Sequence, residues 1–113
     1  NELYTKLEKK FSPSMTTEGI PALEDGRRWQ RQAHIFESPF YYIDYCLAQF
    51  TALQFLALSL DDYKSAFQKY IKFLDYGGTK TFVELLSACG LKSPFEEESF
   101  KDVVSACERI LGL

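Results

Sequence analysis

The residues best equipped for chemistry lie in one short run, His34-Ile35-Phe36-Glu37-Ser38-Pro39-Phe40-Tyr41-Tyr42-Ile43-Asp44-Tyr45. It joins the chain's single histidine, His34, to three tyrosines, Tyr41, Tyr42 and Tyr45. A phenol of ordinary acidity, with a pKa of about 10, is a neutral O–H donor near pH 7. Two such donors aimed at one point can stabilise a developing oxyanion, and losing one donor costs on the order of 10²–10³ in rate. An imidazole nearby adds a further donor or a proton carrier. The run contains no nucleophile or metal site that would generate the oxyanion. Out of context, the same residues also read as a structural histidine among core aromatics.

Other chemistries are limited by count. With one histidine, no His-Glu-x-x-His zinc motif exists within these 113 residues. Cys46, Cys89 and Cys107 are odd in number and widely spaced among apolar neighbours. That pattern suits buried thiols in a reducing cytoplasm rather than a disulfide framework or a zinc site. Gly77-Gly78 lacks the spacing and lysine of a phosphate loop. Arg27, Arg28 and Arg31 can clamp a carboxylate, but they have Glu24, Asp25 and Glu37 as nearby partners. Thirteen basic against sixteen acidic residues leave a net charge of −3, with no basic footprint for nucleic acid. Residues Asn1–Phe11 are charged and do not form a signal peptide.

The elements that must carry the run are helical. Leu3, Leu7 and Phe11 recur every four residues and predict a first amphipathic helix. Pro13, Gly19, Pro21 and Gly26 mark residues 12–38 as an irregular connector. Ser38 as N-cap and Pro39 in the first helical position predict a long helix over Pro39–Leu60, apolar on nearly every face. On it, Tyr42 and Tyr45 fall about 60° apart around the axis, with Tyr41 one turn before Tyr45. Its length would span a bilayer, but Asp44, Gln49 and Gln54 lie inside it, so burial by other helices is the better account.

Three amphipathic helices are predicted to follow. The first covers Asp61–Tyr76 and stops at Gly77; the second is capped by Thr79 and stops at Gly90. The third comes after Ser93-Pro94, with Glu96-Glu97-Glu98 at its start. No strand signal appears. The expected fold is all-α: residues 1–113 form a single helical bundle with one long buried helix and several shorter amphipathic ones. Three short helices are too few to cover the long one, and the chain begins with Asn rather than Met. Both features suggest a segment of something larger.

The run from His34 to Tyr45, with Arg28-Trp29-Gln30 before it, resembles the C-terminal region of oligoendopeptidase F-type zinc metallopeptidases, relatives of thimet oligopeptidase. Ala48-Gln49, Ala52-Leu53-Gln54, Gly77-Gly78, Leu85-Leu86-Ser87 and Gly90-Leu91 extend the resemblance from about Gly26 onward. It implies a larger, mostly helical zincin whose zinc is held by a His-Glu-x-x-His helix and a later glutamate. There the metal activates water and attack on a peptide bond gives a tetrahedral oxyanion. Those residues would lie upstream of Asn1, and this chain would form the opposite wall of the cleft.

By position, His34 matches the family's substrate-contacting histidine. Tyr42 and Tyr45, eight and eleven residues later, match tyrosines of substrate binding and transition-state stabilisation. Tyr41 is left as packing or a secondary substrate contact. Ile35-Phe36-Glu37-Ser38 stands where the thimet branch has a glycine-rich loop, and Pro39 where it has a further tyrosine. The match is therefore to the oligoendopeptidase F branch.

The resemblance implies short peptides as substrates and the upstream part of the same polypeptide as partner. It implies zinc as cofactor of the whole enzyme only; the net charge argues against nucleic acid, the polar residues of the long helix against a membrane, and the cysteines for a cytoplasmic location. The chain by itself is expected neither to bind zinc nor to cleave peptides. A stand-alone helical domain that binds a peptide or protein without cleaving it is the alternative, and a peptidase relative lacking its zinc ligands is a third.

Overall fold

The computed structural model describes residues 1–113 as helices and turns with no strand, in agreement with the all-α expectation. It forms two compact units, residues 1–42 and 43–113.

In the first unit, α1 spans Glu2–Phe11, with Glu2 in its first turn and Lys9 and Lys10 in its last, both complementing the helix dipole. The stretch predicted to be irregular holds short helical pieces: α2 at Pro21–Glu24, with proline at its start, a 3₁₀ turn at Arg28–Arg31, and α3 at Ala33–Glu37. These pieces are tied to α1 by polar contacts. Arg28 Nη1 meets Glu8 Oε1 at 3.1 Å and also contacts Met15 Sδ. Trp29 Nε1 donates to Asn1 Oδ1 at 3.0 Å and its ring stacks on Phe36. Gly26, at φ 66°, allows the close approach, since a Cβ there would fall 2.1 Å from Thr5 Oγ1 and 2.7 Å from the Asn1 carbonyl. Of the three arginines, Arg27 pairs with Asp25 as anticipated, whereas Arg28 takes Glu8.

The second unit contains α4 (Ile43–Asp61), α5 (Tyr63–Asp75), α6 (Phe82–Ala88) and α7 (Ser99–Leu111). α4 packs against α5 and α7. Leu86, Cys89 and Leu91 form the buried centre, with Phe55, Leu58 and Phe73 among the side chains around it. Phe55 meets Tyr70 and Phe73 edge-on, and Phe50 packs on Phe100 at 4.6 Å. Gln54 is buried and grips the strap between α6 and α7. Its Nε2 donates to the Lys92 carbonyl at 2.9 Å, and its Oε1 accepts from the Lys92 N–H at 2.8 Å.

Several local expectations are corrected. The long helix begins at Ile43, not Pro39. Ser38 instead ends α3, and Phe40 takes φ 70°, a left-handed value through which a right-handed helix cannot propagate. The α6 cap is Thr81, not Thr79: its N–H and hydroxyl both donate to Glu84 Oε2, at 3.0 and 2.7 Å. α5 ends at Asp75, just before the expected stop, and the left-handed glycine beyond it is Gly78. The thiols are not uniformly buried, since Cys46 is exposed and Cys107 half-buried, with only Cys89 in the core.

The long helix is also far less covered than a central helix would be. Only Phe50, Thr51 and Gln54 of α4 are buried. By length and composition alone, α4 is sufficient to cross a membrane.

Candidate functional site

The histidine and two of the tyrosines meet at the end of the first unit. α3 is little more than one turn, and it closes when the Ser38 N–H donates to the His34 carbonyl at 3.1 Å. The chain then bends sharply. Pro39 fixes its own φ, Phe40 follows in the left-handed region, and the Tyr41 N–H donates to the Ser38 carbonyl at 3.2 Å. This reversal folds the two following side chains back onto the histidine. The Tyr41 ring stacks on the imidazole with centroids 5.8 Å apart and planes at 25°. The Tyr42 ring lies at 5.2 Å and is tilted by 48°. Both tyrosines are about half exposed while their rings pack on His34.

Tyr45 is positioned differently. It sits in the first turn of α4, in the second unit, and is 53% exposed. Tyr42 and Tyr45 therefore do not share a helix, as the expectation of a start at Pro39 required. A turn supplies Tyr41 and Tyr42, and α4 supplies Tyr45.

Tyr42 also lines an open groove of about 440 Å³ within the first unit. Leu7 and Phe11 of α1 and Ile35 of α3 make its apolar wall, and Glu8 and Arg28 bring their ion pair to it. Sequence reading did not anticipate this groove, because it depends on α1 meeting residues some twenty positions later. The left-handed Phe40 likewise carries no sequence signal, as a bulky side chain normally avoids that conformation.

Zinc does not fit the residues present. The chain has one histidine, and no three His, Cys, Asp or Glu side chains gather as a metal site. What the cluster offers is hydrogen-bond donation. His34, Tyr41 and Tyr42 form a part-exposed polar and aromatic surface.

No protein-family model matches the sequence, and no curated protein does. Two solved structures are similar to it. One, described as an oligoendopeptidase F, is 39% identical with a TM-score of 0.87 over 98% of this chain. The other, a PZ peptidase A solved with an inhibitor, is 42% identical with a TM-score of 0.83 over 95% of this chain. This chain spans about a fifth of each, 20% and 19% of their lengths. Matching the C-terminal part of both at this identity, the chain belongs to the oligoendopeptidase F family of peptidases.

Proposed function

We propose that the chain is part of the catalytic domain of a zinc-dependent endopeptidase acting on short peptides, and that His34, Tyr42 and Tyr45 are its substrate-binding and transition-state-stabilising residues. The observation that carries this reading is the packing of Tyr42 on His34 at 5.2 Å, in a chain about 40% identical to two peptidases. Zinc and its ligands belong, in this reading, to the upstream part of the same polypeptide. The residues of this chain supply donors. As the family resemblance assigns them, Tyr42 and Tyr45 each have a hydroxyl donor role towards substrate in the transition state, and His34 orients Tyr42 and contacts the bound peptide. Tyr41, also stacked on the imidazole, helps fix its plane and forms a secondary substrate contact. Three free cysteines suit a reducing cytoplasm.

The test is hydrolysis of internally quenched fluorescent peptides by the full-length polypeptide that contains this chain, with and without a zinc chelator. Chelator-sensitive cleavage is expected. Peptide binding without cleavage would favour the alternative of a non-catalytic peptide-binding domain, and an upstream sequence without a His-Glu-x-x-His motif would remove the zinc mechanism.

A further inference from the structure

Phe40 combines two features that are each unusual for phenylalanine. Its backbone lies at φ 70°, the one non-glycine residue of the chain with positive φ, and its side chain is 95% exposed. Bulky side chains are disfavoured in that region because the Cβ crowds the backbone. Exposure of the ring forgoes the burial that normally stabilises an aromatic residue. Neither feature helps the chain's own packing.

The location gives both a use. Phe40 occupies the turn that returns Tyr41 and Tyr42 to the His34 imidazole. Strained conformations of this kind persist where surrounding structure holds them for a purpose, commonly at binding sites. We propose that Phe40 is a specificity residue, whose ring packs against a bulky apolar side chain of the peptide held by His34 and Tyr42. The inference rests on the peptidase reading above. The left-handed turn then has two products: it delivers two tyrosines inward to the histidine and presents one phenyl ring outward to the ligand. The substrate class that follows is a short peptide with an aromatic or large aliphatic residue near the scissile bond.

The experiment uses the full-length polypeptide and matched peptides that differ only in having Phe or Ala at one position beside the scissile bond. Phe40→Ala should lower kcat/KM for the Phe peptide by about tenfold or more, the scale of a lost apolar pocket contact. The Ala peptide should change by less than about threefold, Tm should hold, and Phe40→Leu should restore most of the preference. An equal loss for both peptides with a lower Tm would overturn the proposal and place Phe40 against the rest of the polypeptide as a packing residue. No change with either peptide would overturn it too. Wild-type protein that cleaves neither peptide would sink the peptidase reading itself, and this inference with it.

Discussion

The imidazole of His34 and the phenol ring of Tyr42 lie 5.2 Å apart and tilted by 48°, although they come from opposite sides of a turn. Tyr41 takes the other contact at 5.8 Å, nearly parallel. The tyrosines are thus distinguishable by experiment, since replacing either with phenylalanine keeps its ring and removes only its hydroxyl. Tyr42→Phe should lower kcat for peptide hydrolysis by roughly 10²-fold, whereas Tyr41→Phe should stay within about threefold. Equal losses would mean that both hydroxyls donate to substrate, and the assignment of Tyr41 as secondary would fail.

Tyr45 tests the transition-state role from a different element. It sits in the first turn of α4 rather than in the turn that carries Tyr42. Tyr45→Phe should reduce kcat and kcat/KM together, by on the order of 10²–10³, with little change in KM. That is the signature of a contact made only in the transition state. A raised KM at unchanged kcat would instead make Tyr45 a ground-state binding residue.

Gln54 predicts a stability effect with no link to chemistry. Both ends of its buried amide are engaged by the Lys92 backbone, at 2.9 and 2.8 Å. Gln54→Leu keeps the volume but leaves the Lys92 N–H and carbonyl without those partners, which should cost about 1–3 kcal/mol. Urea denaturation of the wild type and the variant measures it. A difference under half a kcal/mol, roughly, would indicate that water satisfies the strap.

Helical periodicity made most of the second unit legible. Helices stand where the apolar spacing placed them after α4, but the face is not always the expected one: the α5 stripe Tyr63, Phe67, Tyr70, Ile71 and Leu74 is largely exposed, whereas Phe73 packs on the core of Leu86, Cys89 and Leu91. The Thr81-x-x-Glu84 capping signature was also present in the sequence, two residues past the threonine chosen instead. The α4 start was not legible. Ser38-Pro39 is a sound helix opening by local rules, yet Phe40 in the left-handed region overrides it, and no propensity announces that for phenylalanine. At the candidate site, residue types drew attention to the run from His34 to Tyr45 and the family resemblance singled out His34, Tyr42 and Tyr45, but the support of the tyrosines by two different elements was not legible. That division follows from the displaced helix start. The groove beside Tyr42 was hidden for another reason, since its walls come from contacts distant in sequence.

The Thr81–Glu84 pair gives α6 a pH dependence of known sign. Hydrogen bonds from the Thr81 hydroxyl and N–H, in that order of weight, hold the Glu84 carboxyl below its ordinary value of 4.5. A group with a lowered folded-state pKa stabilises the fold above the ordinary value, and that contribution is lost as pH falls through the lowered one. Thr81→Val removes the hydroxyl, so its Tm should lie below wild type at neutral pH. The gap should narrow as Glu84 protonates at acid pH, where the hydroxyl no longer faces a carboxylate. A gap that stays constant down to acid pH would show that Glu84 charge plays no part.

The uncovered flank of α4 and α5 predicts where the rest of the polypeptide sits. Leu56, Tyr63 and Phe67 line a shallow apolar depression of about 210 Å³, yet are 39%, 70% and 49% exposed. Water contact with so much apolar surface is costly, at roughly 25 cal/mol per Å². The two similar structures are about five times longer than this chain, and the full-length polypeptide proposed above would supply chain to cover it. Phe67→Asp should therefore destabilise the full-length polypeptide by about 3 kcal/mol or more, the cost of a charge placed in a buried apolar contact. A solvent-exposed position would lose less than about half a kcal/mol. The larger value, read as a lowered denaturation midpoint, would place the upstream segment on this face, whereas the smaller one would leave the face to solvent and require another surface to join the segments.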